Sequence, residues 1–207
     1  MAKGSMQNRY ISNQKIENPF VSDAQFDGLF PYSIQHLTKQ HWTPLYVARK
    51  AAGFLATEKG ARVLDIGSGV GKFCLAAASM LPDAFFYGVE QRSRLVYYAD
   101  KVKNLLRLEN VSFRYSNFTQ LNFCDYDHFY FYNSFYENFV GTDKIDHSLY
   151  YSTELYHYYN RYLYKQLEKR PPGTKLVTYQ SLEDEVPKCY RVVGMERNNL
   201  LKFWRKI

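Results

Sequence analysis

Cysteine is scarce here and unpaired by spacing. Cys74, Cys124 and Cys189 are the only three in 207 residues, 50 and 65 positions apart. Those gaps match neither a zinc-ligand set nor a redox pair. An odd count without obvious partners points to a reducing, cytoplasmic compartment. No apolar run approaches the ~18 residues of a membrane span. The polar stretch over residues 1–18 has no apolar signal core. Internal repeats and Ser/Gly linkers are lacking too, so the chain reads as one domain, long enough for a substantial core. Basic residues outnumber acidic ones, 27 to 20, for a formal net charge of +7, yet no basic block is long enough to act as an arm. Arg92-Ser93-Arg94 and Lys101-Val102-Lys103 read as a solvated helix face. The excess charge suits acidic partners, nucleic acid included, without selecting one.

Aromatic residues are abundant, at 18%, with 20 tyrosines. They are spread along the whole chain, which favours core and half-buried positions over a dedicated base-stacking patch. Residues 1–20 read as a mobile arm and 21–207 as one domain, in which 21–60 form a cap and a first helix. The cap carries Phe26, Phe30, Tyr32, Ile34, Leu37 and Trp42. Thr43-Pro44 is a helix start, with Thr as N-cap and Pro at the first helical position, and the helix is expected to run to residue 57.

Strands and helices then alternate: strands at 62–66, 85–89, 111–115, 128–132 and 175–180, and helices at 72–81, 92–108 and 149–169. That alternation implies a parallel sheet covered on both faces. Segments 190–194 and 200–205 read as a closing antiparallel hairpin.

The densest chemical signal is Val63-Leu64-Asp65-Ile66-Gly67-Ser68-Gly69-Val70-Gly71, followed by Tyr87-Gly88-Val89-Glu90. A buried strand runs through a G-x-G-x-G turn into a helix, and a second strand ends on a carboxylate. Glycine lets the backbone approach a ligand closely, and the amides opening the helix suit an anionic group. Glu90, at the end of its strand, is placed to accept both ribose hydroxyls of a nucleoside cofactor; capping the next helix is its bland alternative. Asp65, inside an apolar strand, needs a partner: the amides of the glycine turn, or an ammonium group of the cofactor. A dinucleotide fingerprint would want glycine where Lys72 stands, and a phosphate loop would want Ser or Thr at Phe73.

These residues resemble the class I S-adenosylmethionine-dependent methyltransferases, over about residues 43–205. The resemblance implies an α/β, Rossmann-like fold with a seven-stranded, mostly parallel sheet and a C-terminal antiparallel hairpin. It implies S-adenosyl-L-methionine as cofactor, with Asp65, Gly67, Ser68, Gly69 and Gly71 around its methionine part. Glu90 would hold the ribose, and Gln91 and the next loop would flank the adenine. Asn117 stands where the family usually has an acid facing the adenine amino group, and Phe118 is placed to pack on the adenine ring. Tyr32, with Trp42-Thr43, would close over the cofactor. Asn133, after the fourth strand, would orient an acceptor amine and is the candidate catalytic residue. Phe131-Tyr132-Asn133-Ser134-Phe135 is also similar to a segment of the disruptor-of-telomeric-silencing histone lysine methyltransferases, with Ser134 in place of a second Asn.

The expected activity is therefore methyl transfer to an amino nitrogen, with a protein lysine as one candidate acceptor. An RNA or DNA methyltransferase and a catalytically silent cofactor-binding protein are the alternatives. His36, His41 and His147 are candidate bases, though a lone histidine is more often structural. No metal or membrane partner is expected.

Overall fold

A computed structural model describes residues 18–139 and 141–207. The arm expected over 1–20 falls mostly outside them. Its last residues are not loose: Pro19 and Phe20 are buried, and the Phe20 ring lies 5.8 Å from that of Phe26. The cap holds three short helices, α1 (Asp23–Asp27), α2 (Tyr32–Gln35) and α3 (Thr38–His41). Phe26, Phe30 and Trp42 form its small aromatic core, with Phe30 and Trp42 in edge contact at 4.9 Å.

Helix α4 spans Leu45–Leu55, with Pro44 as its N-cap. The cap expected from Thr43 is not made, because the Thr43 hydroxyl is 3.0 Å from the buried Tyr130 hydroxyl. Asp23 of the cap supplies the substitute, accepting the Leu45 amide at 2.9 Å.

The sheet is built from β1 (Arg62–Ile66), β2 (Phe85–Glu90), β3 (Val111–Tyr115), β4 (His128–Tyr132), β5 (Lys175–Tyr179), β6 (Tyr190–Glu196) and β7 (Leu201–Lys206). Helices α5 (Lys72–Met80), α6 (Ser93–Leu106) and α7 (Thr153–Glu168) connect them. The strand order is β3-β2-β1-β4-β5-β7-β6. The first five strands pair in parallel, and β7 enters antiparallel between β5 and β6. The expected seven strands and closing hairpin are both present.

Two apolar layers cover the sheet. One joins the cap, α4, α5 and α6 to Val63, Phe86 and Tyr130; the other joins α7 to Leu64, Ile66, Phe129 and Phe131. Alternation along β1 and β4 sends neighbouring side chains to opposite layers. Both faces are buried, so these strands read as nearly continuous apolar runs. Asp65 shares a face with Val63, which aims a carboxylate into the α4–α5 layer at the strand's C-terminal end.

The β1–α5 turn is set by two clashes that only glycine avoids. At Gly67 (φ +77°) a Cβ would lie 2.4 Å from the Ser134 side chain, and at Gly71 (φ +78°) one would lie 2.3 Å from the Phe113 ring. The turn therefore lies flat against the ends of β3 and β4, and opens a crevice where strand order reverses between β1 and β4.

Among the described residues, no helix is long and apolar enough to cross a membrane.

Candidate active site

A cavity of about 580 Å³ occupies that crevice, within the usual range for small-molecule sites. Asp65, Gly67, Ser68, Gly69, Glu90, Gln91, Phe118 and Asn133 all line it. Both carboxylates singled out in the sequence thus open onto one space, from adjacent strands.

Their environments differ. Asp65 is 3% exposed, and its one hydrogen bond among the described residues comes from the Cys74 thiol at 3.7 Å. The glycine-turn amides do not reach it, contrary to one expectation: Gly67 and Ser68 donate instead to the Val89 carbonyl, at 2.9 and 3.0 Å. Burial pushes the Asp65 carboxyl up to about 8, and the nearby Glu90 charge adds to the rise. A buried carboxyl with so weak a partner, facing a cavity, has room for a cationic ligand group.

Glu90 is tied down. Its Oε2 accepts the Gly69 amide at 3.1 Å; its Oε1 accepts the Arg92 amide at 2.9 Å and the Arg92 guanidinium at 3.2 Å. These three bonds fill most of the roughly four acceptor positions of a carboxylate. That leaves space for about one ribose hydroxyl, not the pair expected. The helix-capping role weighed against the ribose role is also real, since Arg92 is the N-cap of α6.

Arg92 is the largest departure from the sequence reading. It does not lie on a solvated face; it is 5% exposed and bonded on all sides. Beyond Glu90, its Nη2 donates to both Glu137 oxygens at 2.7 Å and to the Tyr151 hydroxyl at 2.8 Å, and its Nε reaches Asp146 at 3.4 Å. Burial opposes the charge, but Glu90 and Glu137 outweigh it and raise the guanidinium pKa. Carboxylates distant in sequence make this burial possible, and no local pattern around Arg92 announces them. Through Arg92, the cofactor-side strand end holds the long β4–α7 connection.

Lys72 plays a similar part on the other side. It is 4% exposed, pairs with Asp23 at 2.7 Å and Asp27 at 2.8 Å, and lies over the Phe26 and Trp42 rings. The residue that argues against a dinucleotide fingerprint clamps the cap onto the first turn of α5.

Other expected residues divide clearly. Thr43 lines the cavity next to Trp42. Tyr32 does not; it is 88% exposed, because Pro31 starts α2 with that side chain facing outward. Gly71 also stands off the cavity and serves the packing against Phe113. Asn117 is corrected as well. Its amide oxygen accepts from the Thr119 amide and hydroxyl, at 3.0 and 2.9 Å, in a tight turn. Its NH₂ donates to Gln91 Oε1 and to the Tyr159 hydroxyl, both at 2.9 Å. Asn117 therefore positions Gln91 and does not face a ligand itself. Phe118 lines the cavity with its ring 5.0 Å from that of Phe135. Of the three histidines, His41 alone lines this cavity, and burial lowers its pKa.

Comparison with known proteins agrees with this geometry. Residues 57–149 match a family model described as a methyltransferase domain. Over that span the chain is similar to a methyltransferase domain, on the fold of the class I methyltransferases. Among solved structures, TrmN from Thermus thermophilus superposes with a TM-score of 0.56 at 19% identity, over 77% of this chain and 48% of that one. An RNA methyltransferase from Salinibacter ruber, solved with S-adenosyl-L-homocysteine, gives 0.53 at 20% identity, over 79% and 91%. These likenesses establish the fold. In sequence, a tRNA (guanine-N(7)-)-methyltransferase of Aspergillus oryzae is 28% identical over 118 residues, 55% of this chain and 35% of that protein. A Synechococcus protein of the same description is 48% identical over 54 residues, 26% of this chain and 23% of that protein. The chain thus spans about a third or less of the length of these curated relatives.

The methyltransferase domain implies S-adenosyl-L-methionine, and the residues present fit it. The weakly partnered Asp65 suits its ammonium group. Ser68 lines the same space, while its buried hydroxyl packs against Gly88 and, among the described residues, has no hydrogen-bond partner. Glu90 and Gln91 lie at the neighbouring strand end, with Phe118 as an apolar wall for the adenine.

Proposed function

We propose that this protein is an S-adenosylmethionine-dependent methyltransferase whose acceptor is a ring nitrogen of a base in RNA. The observation that carries the cofactor half is the shared cavity of Asp65 and Glu90. The acceptor half is supported by the curated relatives, both described as acting on guanine of tRNA, and by the net charge of +7, which suits a phosphate backbone. The protein lysine expected from the sequence finds no counterpart among those relatives.

When bound, S-adenosylmethionine supplies an electrophilic methyl group on a sulfonium. The protein's contribution is placement and exclusion of water. Asp65 would hold the methionine end, Glu90 one ribose hydroxyl, and Phe118 would pack on the adenine. Trp42, Thr43 and Phe73 close the cap side of the cavity. Near-attack placement of this kind accounts for ~7–11 kcal/mol of a bimolecular barrier. A purine N7 is a hydrogen-bond acceptor with a free lone pair, so no proton has to leave before attack. The site therefore has no need of the general base that a lysine ammonium would require. Free Cys74, Cys124 and Cys189 accord with a reducing, cytoplasmic setting.

The test is transfer of a tritiated methyl group to total tRNA, total protein and small metabolites in parallel. Label is expected in the RNA fraction and lost on nuclease treatment. Label in protein would overturn the RNA assignment, and saturating cofactor binding with no label in any fraction would overturn the enzyme assignment.

A further inference from the structure

Two non-glycine residues at neighbouring strand ends share an unusual backbone. Asn133, just past β4, has φ +38°, and Gln180, just past β5, has φ +54°. The two strands are paired with Tyr132 opposite Tyr179, so Asn133 and Gln180 stand side by side one step beyond the ladder. Both line the cavity, Asn133 half-buried and Gln180 exposed at its mouth. Beneath them the Tyr132 and Tyr179 rings lie 4.8 Å apart. Among the described residues, neither side-chain amide has a hydrogen-bond partner within the protein.

Left-handed backbone is disfavoured for L-residues. Asn tolerates it better than most, and Gln has no such excuse. The inversion at Gln180 does not rescue a stranded backbone group, since its amide already donates to the Leu200 carbonyl at 2.8 Å. Strain held at a cavity mouth, with no packing reason for it, points toward a ligand. What the inversion brings about is the presentation of two unpaired primary amides to one space. Each amide offers two donors and an acceptor in a plane.

We propose that Gln180, together with Asn133, holds the polar edge of the methyl acceptor, a planar base carrying a carbonyl beside N–H groups, as guanine does. One amide donates to the base carbonyl while the other accepts from a ring or exocyclic N–H, the pattern by which extruded bases are read at their pairing edge. Tyr132, in the same wall, gives the base an aromatic neighbour. This rests on the RNA reading above, which it deepens by naming the base edge and the residues that meet it.

The side-chain NH₂ resonances of Asn133 and Gln180 give a direct readout by NMR. The protein, saturated with S-adenosyl-L-homocysteine, is titrated with guanosine, adenosine and free lysine. Guanosine is expected to move both NH₂ pairs, and adenosine or lysine to leave them in place. Gln180→Gly removes the amide and relieves the backbone at once. It is expected to weaken guanosine binding about five-fold while thermal stability holds or rises and S-adenosyl-L-homocysteine affinity stays within two-fold. A purely structural Gln180 would leave guanosine binding unchanged in that variant, which overturns the inference. So does an equal response to lysine or adenosine, or no response to guanosine up to its solubility limit. If the wild-type protein labels tRNA while both amides stay unmoved, this inference falls and the RNA reading stands. If tRNA is never labelled, the RNA reading falls and takes this inference with it.

Discussion

Cofactor binding should expel a proton, and Asp65 is the source. Its carboxyl is buried and, among the described residues, bonded only to the Cys74 thiol, and burial pushes its pKa up to about 8. At pH 6 it is therefore essentially all protonated in the free protein, by roughly two pH units. An ammonium group seated against it favours the ionised form, so the pKa falls on binding and the proton leaves. The expected release is about one proton per cofactor at pH 6, and the observed affinity should rise close to ten-fold for each pH unit toward 7. The ligand's own ammonium stays charged over that range, given an α-amino pKa near ~7.7–8.0. Calorimetric titration of S-adenosyl-L-homocysteine in buffers of different ionisation enthalpy counts the protons directly. Asp65→Asn should abolish the release and weaken binding. A release near zero in the wild-type protein, or an unchanged release in the variant, would refute the pairing of Asp65 with the ammonium.

Three further outcomes follow from the packing around the site. Arg92→Leu strands the Glu90 and Glu137 carboxylates and should cost ~3–5 kcal/mol in urea unfolding at pH 7. Burial already raises the Glu90 pKa above its ordinary 4.5, and losing Arg92 raises it further. A raised carboxyl adds stability that is complete below the unfolded pKa and lost as pH rises through the folded one. The Arg92→Leu penalty should therefore shrink toward pH 4.5, and a constant penalty would argue against an unpaired Glu90. Gly67→Ala places a Cβ 2.4 Å from Ser134 at a φ of +77° and should lower stability by ~1–3 kcal/mol; a Tm equal to wild type would mean the turn is not as tight as described. Lys72→Met leaves Asp23 and Asp27 without their cation and should cost ~2 kcal/mol, read as faster proteolytic nicking within residues 18–44 than within the sheet. Uniform protection across both regions would show that the cap is held by its aromatic core alone.

The parts of this molecule legible in its sequence are those fixed by local pattern. β1 and β4 begin and end where their largely apolar runs do, because a doubly covered strand must be apolar on both faces. The G-x-G-x-G turn is legible because only glycine avoids Ser134 and Phe113 there. What escaped notice depends on partners far along the chain. Arg92 looks like any surface arginine until Glu137, Asp146 and Tyr151 come round to meet it. Thr43-Pro44 has the form of a helix cap, yet the Thr43 hydroxyl answers Tyr130, 87 residues away. Asn117 sits at the adenine-facing position of the motif, but Thr119, two residues on, takes up its oxygen. Gln180 carries no motif at all; only its backbone conformation and its place at the cavity mouth single it out.

The most direct measurement is a crystal structure with S-adenosyl-L-homocysteine. Ligand density should run along Gly67–Gly69, its amino-acid end against Asp65 and its ribose against Glu90. Density lodged elsewhere at full occupancy, or a crevice left without ligand under saturating conditions, would contradict it.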